Sequence, residues 1–428
     1  MSGSVASKVA AREFGAARTR PGGGWRVLVA AACGTATSSV ALYLGTFGLF
    51  IVPLGEAFGW SRAAVAGGLA AHMLAAAVLF PAAGAAFDRR PSRGLLLVAG
   101  ALYAAAVTAH AFVGPTLASL YTVCVLVATT SAFCSPVVLS KLVVSHFAHR
   151  RGLALGVALC GIGVSGLLGP LVVEHVIATR GWRAAYVVLG TVIALVSLPA
   201  LMLLRPWQVA PALQTTAAGA EGPVDRRAFC ILLAAFVLIA PALAGFGVNL
   251  APMLADRGMQ TSIGPTLVVL SIAVVAARLV TGWLLDRLPP RLVAAAVCLV
   301  SAAGVVVLAA GVPGWPTFVG AALLGAAAGA EIDVMAFLVA RHFPEARFAF
   351  LFGLLNSAHL AGSALGPPLV AGFGGGAGGY LGVGLALSAC LFASAVLFAS
   401  LRDAPRAAGA SICAGRALIR SISSRMAL

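Results

Sequence analysis

Charge is what this chain has least of. Only 9% of its 428 residues are Asp, Glu, Lys or Arg, against about 25% in soluble domains. That is too little polar surface to cover a water-soluble globule. Acidic residues are scarcer still, 12 against 28 basic ones. No cysteines stand in a CxxC pair, no Cys/His spacing fits zinc, and there is no HExxH or nucleophile–base set. The sequence therefore offers no catalytic residues, metal site or cofactor site. The eight cysteines, Cys33, Cys124, Cys134, Cys160, Cys230, Cys298, Cys390 and Cys413, read as small apolar residues inside helices. Residues 1–24 are basic and lack the apolar stretch of a cleaved signal peptide; they read as a cytoplasmic arm.

Long apolar runs are what the chain does have: 61% of its residues are hydrophobic. Twelve segments reach the roughly 20 apolar residues that a membrane span needs. Six lie between residues 25 and 204 and six between 228 and 401. Residues 205–227, with Pro206, Pro211, Gly219, Gly222 and Pro223, read as a cytoplasmic linker. Residues 402–428 form a basic cytoplasmic tail. The fold expected is an all-α membrane bundle of twelve helices in two six-helix halves. The tightest turns fall at Pro115 and between Gly311 and Pro316.

The net charge of +16 would point to nucleic acid in a soluble protein. Here the basic residues sit in short gaps between apolar runs, so no nucleic-acid partner is expected. With both termini placed in the cytoplasm, 22 Lys and Arg fall inside, 4 outside and 2 within spans. That split orients a multi-pass chain of the inner (plasma) membrane, with lipid as its solvent and a monomer as its expected unit.

The two halves repeat. Gly84, Asp88, Arg89 and Arg93 recur 198 residues later as Gly282, Asp286, Arg287 and Arg291, and Gly169-Pro170 recurs 197 later as Gly366-Pro367. Parallel six-helix repeats suit a protein that rocks about a central site. The Gly-x-x-x-Asp-Arg loops resemble the signature of the major facilitator superfamily. Three further stretches are similar to its monocarboxylate and oxalate–formate branch: Arg150-Arg151-Gly152 with Gly161 to Gly166 and Trp182-Arg183, then Arg278 to Arg287, then Gly329-Ala330-Glu331-Ile332-Asp333. The first loop departs from the family pattern, running Arg90-Pro91-Ser92-Arg93 where Gly and paired basic residues are usual; a looser gate is expected there.

The resemblance implies transport of a small organic anion, a monocarboxylate by class, by alternating access, with protons or a counter-substrate as partner. Efflux of a hydrophobic or cationic compound against protons is the alternative, with Glu331 or Asp333 as counter-charge. Arg278, eight residues before Asp286, lies about 12 Å into the membrane. There an arginine costs about 2.5–3.5 kcal/mol even on lenient insertion scales. Its guanidinium fork either clamps a carboxylate or pairs with Glu331 or Asp333. Those two acids, two residues apart, point about 200° apart on a helix and cannot face one cavity. His359 titrates near mid-membrane and, by the resemblance, completes the anion site opposite Arg278; Asn356 lies one turn before it. The substrate contacts expected are Arg278, His359, Asn356, Tyr121 and Asn249. Protons are assigned to Glu331, Asp333 and His359, and gating to Asp88, Arg89, Asp286 and Arg287. His72 is a further polar group at plausible depth, and Lys141 is expected to snorkel to the inner surface. Gly161-x-Gly-x-x-Gly166 matches the dinucleotide fingerprint, yet no strand precedes it; close packing of helix 5 on helix 8 is the expectation.

Overall fold

In hydrocarbon each backbone N–H and C=O has to be paired within its own segment, so apolar runs of this length become helices. The computed structural model describes residues 23–147, 150–209, 224–373 and 379–402, and these are helical with short turns and no strand. The arm up to residue 22, linker residues 210–223 and the tail from 403 lie outside the described residues.

Among the described residues, eleven helices are long and apolar enough to cross a membrane. One of them, Arg151–Met202, has 52 residues, which is about 78 Å, more than twice the roughly 30 Å hydrocarbon core. It is two spans divided at Gly181, whose φ of 81° and ψ of 169° reverse the chain. The link between the two spans is this one turn, because the positive φ that glycine tolerates does the work of several residues. The twelve spans are α1 (Gly24–Phe58), α2 (Arg62–Arg89), α3 (Arg93–Phe112), α4 (Leu117–His146), α5 (151–180) and α6 (181–202). The second half holds α7 (Arg226–Asp256), α8 (Gln260–Arg287), α9 (Pro290–Ala310), α10 (Trp315–His342), α11 (Phe348–Phe373) and α12 (Gly379–Ala399).

Two helices are interrupted in the membrane. α1 breaks at Thr37–Ser38 and resumes through a π-turn, Ser39–Tyr43, with the Ser38 hydroxyl accepting from the Ala41 N–H. α4 passes through a 3₁₀ turn, Ala132–Cys134, and restarts at Pro136. Ser131 Oγ donates to Ser39 Oγ at 3.0 Å and joins the two breaks. Irregular backbone at this depth is tolerated because protein surrounds it: Ser39 and Ser131 are buried.

The halves meet chiefly through α2 against α11 and α5 against α8. Small residues set the closeness. A Cβ on Gly152 would strike the Gly282 carbonyl, and one on Gly282 the Gly152 carbonyl; one on Gly84 would strike the Ala349 carbonyl. These contacts all lie at the face where the chain enters α1 and leaves α12, here the basal face. Gly156 and Gly163 still lie against α8, but Gly166 faces open space. Gly161 packs on α1 at Ala32 and Thr35 rather than on α8, so only part of the glycine stretch serves the expected contact. From Val164 onward α5 is exposed on most of its turns, and the outer half of α11 likewise, while their basal turns are buried. The bundle is closed at the basal face and opens toward the other.

Candidate functional site

The charged chemistry of the interior gathers in the second half. Arg278 on α8 and Asp333 on α10 form a pair, Nη1 to Oδ1, at 2.9 Å with side chains 2% and 0% exposed. Nine residues separate Arg278 from the basal end of α8 and Asp333 from that of α10, so both sit about 13 Å deep. One bond joins them: Arg278 Nε and Asp333 Oδ2 are buried without a hydrogen-bond partner. A guanidinium fork and a carboxylate that could meet at two points meet at one.

Glu331, half a turn away, faces elsewhere. Its Oε1 lies 3.6 Å from His359 Nε2 on α11. His359 Nδ1 contacts the Phe236 carbonyl of α7 at 3.3 Å. A carbonyl only accepts, so Nδ1 holds the hydrogen, and Nε2, the nitrogen that gains or loses a proton, faces the carboxylate. Asn356, one turn below His359, is buried to the same degree. Of the two acids, whose partners the sequence leaves open, Asp333 pairs with Arg278 and Glu331 faces His359.

Two expected contacts lie apart from this group. Asn249 donates to the carbonyls of Gly245 and Pro367 and so ties α7 to α11. Tyr121 donates to the Ala64 carbonyl of α2 at 2.8 Å. It stands four residues from the start of α4 at the face opposite the basal one, about 6 Å deep, too far out to reach Arg278. His72 enters a cluster that sequence reasoning missed. Tyr43 Oη lies 3.0 Å from His110 Nε2 and 3.3 Å from Cys124 Sγ, and His72 Nδ1 lies 3.2 Å from the Cys124 carbonyl. Four helices contribute, from distant parts of the chain, which no local pattern reveals.

At the basal face Asp286 accepts from the Gly152 and Leu153 N–H groups at 2.7 and 2.9 Å. Asp88 accepts from the Phe350 N–H at 2.9 Å. Each motif aspartate therefore caps the start of the other half's fifth helix, where the helix dipole favours an anion. Arg89 is exposed, and Arg287 stacks on Trp283 of its own helix at 4.1 Å; neither joins the cross-half contacts among the described residues. Lys141 does not snorkel. It is 2% exposed, pairs with Asp88 at 3.1 Å and donates to the Glu345 carbonyl of the other half. Its long stem reaches an acid at the end of the neighbouring helix, a depth the span boundaries concealed. The first loop, expected to hold more loosely, has this extra lock.

Two pseudo-symmetric six-helix halves, closed over a charged midplane at one face and open at the other, have the architecture of a membrane transporter. The Major Facilitator Superfamily model matches residues 31–314 and again 232–424. The chain belongs to that superfamily and is a multi-pass membrane transport protein for small molecules. It is 32% identical over 368 residues to monocarboxylate transporter 11 of Mus musculus, covering 82% of this chain and 81% of the relative. Against the Homo sapiens protein of that name it is 30% identical over 365 residues, covering 82% and 77%. Among solved structures it resembles the human organic anion transporter MFSD10, with a TM-score of 0.68 at 14% identity over 89% of this chain and all of that one. The proton:xylose symporter XylE gives 0.70 at 14% identity over 90% and 97%. At such identity these two speak for the fold alone.

Proposed function

We propose that the chain moves a small organic anion, a monocarboxylate by class, by alternating access coupled to protons or to exchange. The observation that carries this reading is the buried Arg278, held at one point by Asp333 and keeping an unused fork donor. A carboxylate is the ligand whose shape matches that fork. The similarity to monocarboxylate transporter 11 supports the same substrate class. The 22-to-4 charge split supports a cytoplasmic basal face, which makes this conformation outward-facing. On a background without the native cysteines, a cysteine at Ala220 should then resist external reagents and one at Gln260 should react.

Entering from the open face, an anion meets Glu331 and His359 first, with Asn356 one turn deeper at the level of Arg278. Glu331 and His359 are 11% and 8% exposed in their side chains, whereas Arg278 beneath them is 2% exposed. A proton arriving with the substrate settles on His359 Nε2. It adds a positive charge and frees the anion to reach Arg278 without facing an uncompensated carboxylate. Closure of the outer side and release of the two aspartate caps then exposes the site to the basal side. The efflux alternative needs a carboxylate for a cationic substrate, and each interior acid already faces a basic side chain, Arg278 or His359, that would repel a second cation. The test is flux in proteoliposomes with a panel of monocarboxylates and organic cations under an imposed pH gradient. Uptake of cations without carboxylates would overturn the reading.

A further inference from the structure

α8 and α9 diverge as they leave their basal turn, and α10 floors the gap between them. The result is a cavity of about 700 Å³, within the roughly 300–1,000 Å³ of ordinary ligand sites. Its walls run from Ala273 to Leu288 on α8 and from Pro289 to Val300 on α9, with Ala326 in the floor; Thr281 is the one polar residue lining it. Nothing there can satisfy a polar ligand. From Ala273 to Arg287, the end of α8, fifteen residues span about 22 Å, more than the roughly 15 Å of hydrocarbon in one leaflet. Val280, Leu288 and Leu292 on its rim are 55%, 47% and 52% exposed, so the cavity faces lipid rather than the interface between the halves.

Its basal end carries a charge. Val280, Leu284 and Arg287 fall at i, i+4 and i+7, one stripe of α8, and Arg287 is the last residue of the helix, so it stands where that wall reaches the membrane surface. Arg287 is exposed, takes no part in the aspartate caps, and is held against Trp283, itself 44% exposed. An aromatic with an arginine at the interface is a headgroup-level arrangement. We propose that this groove binds an anionic phospholipid, one acyl chain lying along the alanine floor and the phosphate meeting Arg287. The inference stands apart from the anion-transport reading, since it concerns the lipid-facing side of α8.

The experiment delipidates the purified full chain and adds phosphatidylglycerol or phosphatidylcholine with identical acyl chains, counting tightly held lipids by native mass spectrometry. The wild type should retain phosphatidylglycerol over phosphatidylcholine by roughly fivefold, the factor one interfacial arginine supplies. Arg287→Gln should abolish the preference while leaving the chain site. Ala326→Phe and Ala296→Phe should each lower the tightly held lipid whatever its headgroup. An unchanged preference in Arg287→Gln, a site outside the packed interior, overturns the headgroup assignment. Undiminished binding in both filled variants, with thermal unfolding near that of wild type, overturns the groove.

Discussion

The two halves share a scaffold and differ in what they bury. In the first half the interior polar groups, Tyr43, His72, His110 and Cys124, bond to one another or to a local carbonyl. In the second, an Arg278–Asp333 ion pair joins α8 to α10, and Glu331 faces His359 between α10 and α11. A neutral cluster fixes helices against each other; charged pairs at the midplane can exchange partners with an anion or a proton. The basal locks show the same divergence on a smaller scale. Asp88 and Asp286 cap opposite helices in the same way, yet only Asp88 has a lysine, Lys141, beside it. The backbone contacts repeat between the halves, and the side chains beside them do not.

The largest effect that would sharpen this contrast is at Arg278. Arg278→Gln leaves Asp333 buried without its cation, a loss of about 3–5 kcal/mol, visible as a lower unfolding temperature. Adding Asp333→Asn should recover most of that stability and no uptake. Arg278→Lys keeps the charge and loses the fork; substrate affinity should fall about tenfold to a hundredfold, the worth of a charge-assisted bond. Normal uptake by Arg278→Lys would make the residue an ion-pair partner and nothing more.

Next come the locks. Asp286→Asn weakens two charge-assisted bonds of about 1.5–3 kcal/mol each. Asp88→Asn weakens one and also strands Lys141, so it should shift the population further toward the basal-open form. Distances between spin labels on the basal ends of α5 and α8, and of α2 and α11, would report the order; a larger shift from Asp286→Asn would contradict the role given to Lys141. The smallest effect belongs to Cys124→Ala. It removes a weak hydrogen-bonding partner from the first-half cluster and should cost about 1 kcal/mol of stability, with uptake per folded molecule unchanged.

Much of this was readable because membranes restrict the alternatives. Run length and Lys/Arg placement set the spans, and the displaced Gly-x-x-x-Asp-Arg loops exposed the repeat. The rarity of interior charge drew attention to Arg278, Glu331, Asp333 and His359, and the two-residue spacing of the acids put them on opposite sides of α10; which acid meets which base is a tertiary matter. What escaped depends on tertiary contact. Tyr43, His110 and Cys124 meet across separations of 67 and 81 residues. Asn249 looked like a cavity residue and instead holds carbonyls between α7 and α11. The α1 break at Thr37–Ser38 carries no proline, whereas Pro136 does mark the restart of α4. Lys141 was misread because its acid lies on another helix.

Monocarboxylate uptake in proteoliposomes, measured from pH 5 to 8 in His359→Gln beside His72→Gln and His110→Gln, tests the central division most directly. That window is where histidine ordinarily titrates. The account predicts that His359→Gln loses pH-driven accumulation and that its residual exchange becomes flat with pH, while the two first-half variants keep the wild-type profile. A His359→Gln protein that still accumulates substrate down an imposed proton gradient, or a profile flattened by His72→Gln or His110→Gln instead, would contradict it.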